Sequence, residues 1–258
     1  MTDSKPRNNF LRNLYIPWVW LVFIPYLALS TIIWGIIAVI ISALSPKLAF
    51  HCGTIWSRCL CWVNFTRVEL RGKKNAEKNR SYIIMSNHQS HFDILAFYGK
   101  WGRQFRWVLK EELRKVPGLG WYCAAGGHVF IDRSSPEKAI ASLNEAKSLL
   151  EGGISVMIFP EGKRSDDGRI RDFKKGGFII ALDLGLPILP VSISGSRRVL
   201  PNKTLKLFPG TITITVHPPI ETTPYGPERR EQLMQDVKEK IMLGLTGHER
   251  GTQDRGAE

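Results

Sequence analysis

The hydrophobic pattern divides the chain near residue 66. No charged residue occurs from Asn13 to Pro46, and Tyr15 to Leu44 is dominated by Ile, Leu, Val, Trp and Ala. A helix of that length, rising about 1.5 Å per residue, exceeds the roughly 20 residues that cross a bilayer. The stretch is too long for an ordinary signal peptide and has no small-residue cleavage site before Lys47, so it is expected to be retained. A second apolar stretch, Leu48 to Phe65, carries one firm charge, Arg58, and predicts a helix returning along or into the same leaflet. Both flanks are basic, with Lys5, Arg7 and Arg12 before the first stretch and Lys47, Arg67 and Arg71 after it. Charge asymmetry therefore gives no clean orientation, and a single crossing stays open beside a helical pair embedded from one side.

Downstream of Arg67 the period shortens. Tyr82 to Met85, Ile154 to Phe159, Ile188 to Ile193 and Thr211 to Val216 read as strands. Between and after them lie helical patterns. Pro136 to Leu150 has Ser135 as N-cap and Gly152 at its stop, and about Glu228 to Leu245 carries Leu233, Val237, Ile241 and Leu245 on one stripe. Strands alternating with helices predict an α/β fold, a mostly parallel sheet flanked by helices, behind an N-terminal membrane-embedded helical segment. The divisions are 1–66 for the anchor, 67–247 for the α/β domain and 248–258 for a polar, frayed tail. Ligands of such sheets sit beyond the carboxyl ends of the strands.

The 258 residues carry a formal charge of +13 and a pI near 9.8, which makes acidic surfaces the expected neighbours. Charge alone does not separate lipid headgroups from nucleic acid; with the apolar segment, membrane lipid is the expected partner and nucleic acid is not. Cys52, Cys59, Cys61 and Cys123 fit neither a disulfide framework nor a zinc site, and a reducing compartment is the simpler reading.

Two strand ends carry candidate chemistry. His88 lies just past the first strand and Asp93 follows five residues later, where the chain turns into a helix. A hydroxyl is almost fully protonated at neutral pH, so acyl transfer to it needs a base, and a carboxylate can fix that base's tautomer and stabilise its imidazolium. The same residues admit a second reading, because Ser90-His-Phe-Asp93 fits a capping box with Ser90 as N-cap. His88 with His91 offers too few convergent ligands for a metal site, and no GxSxG elbow surrounds Ser90. The second cluster, Ile158-Phe-Pro-Glu-Gly-Lys-Arg-Ser165, lets Arg164 clamp a phosphate bidentately, with Lys163 adding charge and Gly162 permitting close backbone approach. A solvated basic turn is the alternative.

Asn87-His-Gln-Ser-His-Phe-Asp93 and Phe159-Pro-Glu-Gly-Lys-Arg-Ser165 resemble the first and third blocks of the glycerolipid acyltransferase family, which contains the 1-acyl-sn-glycerol-3-phosphate acyltransferases. Gly127-His-Val-Phe-Ile-Asp-Arg133 resembles the second block and Gly185-Leu-Pro-Ile-Leu-Pro-Val-Ser-Ile193 the fourth. The resemblance implies that His88 and Asp93 are the catalytic pair and that Arg164, helped by Glu161 and Gly162, holds the acceptor's phosphate. By the same resemblance Lys110 is a phosphate ligand and Arg133 belongs to the acceptor site. It further implies transfer from an acyl-CoA or acyl carrier protein thioester to the sn-2 hydroxyl of 1-acyl-glycerol-3-phosphate, with no cofactor or metal and no acyl-enzyme. The family's third block more often has Thr where Lys163 stands, which bears on headgroup preference. Another lyso-lipid acceptor, a non-catalytic lipid-binding protein and a metal-dependent phosphohydrolase are the rival readings. A compact basic enzyme of this kind is expected on the cytoplasmic face of a bacterial inner membrane.

Overall fold

The structure, a computed structural model, describes residues 15–116, 119–132 and 153–251. Tyr15–Leu44 forms one helix, α1. A π-helical stretch, Val19–Phe23, lies just ahead of Pro25, and the Ile24 amide reaches back to the Val19 carbonyl. Pro25 has no N–H, and in a regular helix its ring would press on the carbonyl four residues earlier. Widening the turn before it relieves that conflict. Ser45 then breaks the helix with an extended backbone (φ −158°), and its hydroxyl accepts from the Leu48 amide at 3.4 Å to cap α2, Pro46–Val63. The expected returning helix is present, two residues earlier than its apolar stretch indicated, because Ser-Pro sets the start.

The two helices close on themselves. Tyr15 Oη donates to Asn64 Oδ1 at 2.9 Å, and Trp18 Nε1 donates to the Val63 carbonyl at 3.1 Å. The outward face of α1 is left apolar, with Leu21, Leu29, Ile32, Ile36 and Ile40 all more than half exposed. The inward face is continuous with the rest of the molecule: Phe50, Leu60 and Cys61 share one core with Phe97, Trp101 and Phe105. At the turn between the helices, the Lys47 carbonyl accepts from Gln104 Nε2 at 3.0 Å. The boundary near residue 66 is thus a change of secondary structure and not a break in packing.

Seven strands follow: β1 Thr66–Arg71, β2 Ile83–Ser86, β3 Phe105–Lys110, β4 Val129–Ile131, β5 Ser155–Ile158, β6 Ile188–Ser194 and β7 Gly210–Val216. They form one sheet in the order β1-β7-β6-β2-β5-β3-β4. Every neighbouring pair is parallel except β6 with β7, so the expected mostly parallel sheet is found, with two reversed strands at one edge. Helices cover both faces, which is why β2 is apolar or buried at each position. Ile84 enters the core beneath α2 and α3 (Phe92–Trp101), whereas Ile83 and Met85 enter the opposite core with α5 (Gly176–Leu184) and α7 (Arg230–Leu243). Two short helices, α4 (Leu119–Ala125) and α6 (Ser196–Val199), complete the connections named here. On α7 the stripe Leu233, Val237 and Ile241 is fully buried, as its period predicts.

One expectation is corrected at the carboxyl end. Residues 248–251 were assigned to a polar tail, yet Gly247–Arg250 forms a helical turn, α8, capped by a Thr246/Glu249 capping box. Glu249 is buried and accepts from Ser194 Oγ at 2.6 Å and from the Gly195 amide at 3.0 Å. Satisfying those two donors at the end of β6 holds the segment in place. The predicted helix over Pro136–Leu150 and the candidate Arg133 lie outside the described residues.

Candidate active site

The carboxyl ends of β2, β5 and β3 lie side by side, with Met85 level with Ile158 and Trp107 level with Met157. The loops leaving β2 and β5 carry His88 and the segment Glu161 to Arg164, and Lys110 ends β3. His88 Nδ1 lies 2.8 Å from Asp93 Oδ2, and the Asp93 side chain is fully buried while that of His88 is 13% exposed. A carboxylate only accepts, so in the neutral imidazole that pairs with it Nδ1 carries the proton and Nε2 the lone pair.

Asp93 Oδ2 also accepts from the amides of Gln89 at 2.7 Å and Ser90 at 2.8 Å. The bond to Ser90 is the reciprocal half of a capping box. The other half is displaced, since Ser90 Oγ accepts from the Phe92 amide at 3.1 Å and donates to the Leu200 carbonyl at 2.7 Å. The capping and pairing readings of Asp93 are therefore both realised, by one oxygen. Ser90, with its hydroxyl committed on both sides, is a turn residue.

The orientation of His88 is fixed from three further directions. Its ring stacks on Phe159 at 3.8 Å with an interplanar angle of 9°. Its amide donates to Glu161 Oε1 at 2.7 Å, and its carbonyl accepts from the Ser165 amide at 2.8 Å. Beneath it, Asn87 clamps β6 by donating to the Ile193 carbonyl and accepting from the Ile193 amide, both at 2.8 Å. Pre-set rotamers of this kind are what hold a base in productive geometry.

Glu161 stands elsewhere than a direct phosphate contact would require. It is 2% exposed, and its second oxygen accepts from the Arg171 amide at 3.0 Å. Burial pushes its pKa up to about 7, against the pull of the His88 and Arg171 amides. Its carboxylate ties the His88 loop to the loop after β5. Gly162 follows in the left-handed region (φ +73°), where its amide closes a turn on the Phe159 carbonyl at 3.0 Å. The positive φ favours glycine, and a side chain there would also have to displace the end of Lys174, 3.0 Å away.

That turn delivers Arg164, half-buried and without an ion-pair partner among the described residues, beside the His88 loop. Partial burial, then the charges of Arg164 and His88, lower the pKa of His91. Lys163 points to solvent. Lys110 is exposed at the end of β3, two strands from His88, about 10 Å at ordinary strand spacing. The structure thus brings His88, Asp93, Glu161, Gly162, Arg164 and Lys110 to one sheet edge. Sequence reasoning gave no role to Asn87 and Phe159, which orient His88; both open the blocks quoted above, but nothing in their spacing marks them.

A family model described as Acyltransferase matches residues 67–194. A 1-acyl-sn-glycerol-3-phosphate acyltransferase of Pseudomonas aeruginosa is 31% identical over 221 residues, 83% of this chain and 85% of that protein. The chain belongs to the acyltransferase family. A protein of the same name from Limnanthes alba is 30% identical over 224 residues, 84% of this chain and 78% of that one. Another, from Chlamydomonas reinhardtii, is 29% identical, and this chain spans 66% of its length. The crystal structure of the 1-acyl-sn-glycerophosphate (LPA) acyltransferase PlsC from Thermotoga maritima has a TM-score of 0.78 and 30% identity, over 90% of this chain and 95% of that one. The first, third and fourth blocks, the described part of the second and the helical pair therefore sit in a fold that this acyltransferase structure shares.

Proposed function

We propose that the protein transfers a fatty acyl group from an acyl-CoA or acyl carrier protein thioester to the sn-2 hydroxyl of 1-acyl-glycerol-3-phosphate, forming phosphatidic acid. His88 Nε2 takes the hydroxyl proton as the oxygen attacks the thioester carbonyl, and Asp93 stabilises the imidazolium. The thiolate of the donor leaves and receives that proton. The observation that carries the reading is the 2.8 Å Nδ1 to Asp93 bond, which leaves a half-buried, oriented base beside an unpaired guanidinium. Arg164 and Lys110 bind the acceptor phosphate, while Glu161 and Gly162 shape the loop that aims Arg164. Direct transfer is favoured because Ser90 Oγ is committed to Leu200 and Phe92, and the four cysteines lie on α2 and α4. Names of the relatives support the acceptor assigned.

The α1–α2 pair is inserted from one side, with both ends and the active site on the cytoplasmic face of a bacterial inner membrane. Support comes from the joined ends of the pair and from the turn that returns to the domain at Gln104. The test is product analysis of the purified full chain, offered a panel of lyso-lipids with one labelled acyl thioester. Label in phosphatidic acid is the expected result. Acylation of a lyso-aminolipid or lysophosphatidylglycerol in preference would reassign the acceptor, and no acylated product from any of them would leave a lipid-binding protein.

A further inference from the structure

A second feature lies at the opposite end of α3 from His88. A groove of about 610 Å³ runs between α2, α3 and β1, lined by apolar Cys61, Leu95 and Ala96 and by Arg58, Arg67 and Lys100. Trp62 also lines it and is 78% exposed. The one acid in the lining, Glu69, is taken by Arg67 at 3.2 Å and Arg71 at 2.9 Å. At the α3 end Lys73 Nζ sits against Gly102, and burial, then the charges of Arg103, Arg58 and Lys78, hold its pKa below the usual range. Arg58 donates to the Gly99 carbonyl and Arg103 to the Ala76 and Glu77 carbonyls. Those bonds satisfy donors without neutralising charge. Among the described residues, Arg58, Lys73, Lys78, Lys100 and Arg103 have no carboxylate partner.

A helix carboxyl end attracts cations and accounts for part of this clustering. It supplies only about half a negative charge, however, which five positive groups far exceed. Arg58 and Lys100 line the groove and the other three cations surround its α3 end, which therefore has the character of an anion site. A small soluble anion has no use for its apolar lining or for an exposed tryptophan at its margin. Those features, continuous with exposed Ile55 and Phe65, match a lipid at the membrane interface.

We propose that this groove docks the phosphate headgroup of an anionic membrane phospholipid, with the phosphate among Arg58, Lys73 and Lys100 and an acyl chain against Trp62, Val68 and Leu70. The phosphate end of the groove is separate from the His88 site, since Lys100 lies seven residues along α3 from Asp93, about 10 Å at 1.5 Å per residue. Its occupant orients the domain on the bilayer by a contact additional to the burial of α1.

The experiment is co-flotation of the full chain with phosphatidylcholine vesicles, with and without a phosphatidylglycerol fraction, at low salt. It reads binding alone and stands independently of the reaction proposed above. Lys73→Gln/Lys100→Gln keeps the Arg58 bond to Gly99 intact and should lower the anionic-to-neutral partition ratio about 25-fold, at roughly fivefold per cation. Binding to neutral vesicles should be unchanged. Lys238→Gln/Lys240→Gln, on α7 across the sheet, should leave the ratio at the wild-type value. An unchanged ratio in the first variant overturns the proposal. So does an equal fall in both variants, which would mean diffuse charge without a site, and so does displacement of bound vesicles by an acidic carrier protein, which would assign the surface to protein.

Discussion

Replacing Asp93 by Asn separates its two duties, because the surroundings dictate how the amide must sit. Oδ2 accepts three bonds, from His88 Nδ1 and the amides of Gln89 and Ser90, whereas Oδ1 has no hydrogen-bond partner among the described residues. An asparagine that placed its NH₂ toward two backbone N–H groups would set donor against donor. Its oxygen therefore takes the Oδ2 position, so the helix cap and the His88 tautomer are both kept. What is lost is the charge. A carboxylate and an imidazolium with centres about 4 Å apart attract by roughly 4 kcal/mol at an effective dielectric constant near 20. The retained neutral hydrogen bond is weaker than the charged one by about 1 to 2 kcal/mol. Together these bracket a barrier increase of roughly 1 to 4 kcal/mol, or about 5- to 1,000-fold in kcat. The buried NH₂ costs about 1 to 3 kcal/mol of stability, so the variant should still fold. Single-turnover kinetics and thermal unfolding of wild type, Asp93→Asn and Asp93→Ala check this, the alanine variant losing both rate and stability. Near-normal kcat in Asp93→Asn would refute the reasoning and leave Asp93 a helix cap.

Glu161→Gln offers an N–H where both backbone partners also donate, so one clamp on His88 or Arg171 is lost and kcat should fall about tenfold. The native pKa of about 7 lies above the ordinary 4.5, so the stability that Glu161 contributes is present below about 4.5 and is lost as pH rises through 7. Thermal unfolding in detergent at both ends of that window should show a pH dependence on the order of 3 kcal/mol that the glutamine variant lacks. Arg164→Lys keeps charge but loses the fork, and steady-state kinetics should show acceptor KM raised about tenfold and kcat lowered, with donor KM unchanged. Quenched mass spectrometry after donor alone should find the chain unmodified, whereas a stoichiometric acyl adduct would establish a ping-pong route.

Much of this architecture was legible because burial on both sheet faces gives largely apolar runs, as in β2, β5 and β6, while β7 announces itself by alternating Thr with buried Ile and Val. The strands that were missed lie where that rule lapses. β1 is an edge strand whose Thr-Arg-Val-Glu-Leu-Arg mixes charge with apolar positions, β3 carries a buried arginine, and β4 is three residues long. The capping box at Thr246 and Glu249 was readable from spacing but was masked by the polar composition around it. At the site, the residues bearing the chemistry could be named from the chain, because acyl transfer needs a base and a phosphate needs a cation. The role of Glu161 could not, since its two partners are backbone amides ten residues or more away and leave no side-chain signature.

The most direct test of the account is the single-turnover rate of purified His88→Ala with lysophosphatidic acid and acyl thioester both saturating. His88 is held by Asp93, Phe159, Glu161 and Ser165, and the backbone ties survive truncation of its ring, so the fold should be retained. Removal of a positioned general base predicts a fall of about 10² to 10⁴-fold. A folded variant that keeps more than about a tenth of the wild-type rate would contradict general-base catalysis by His88.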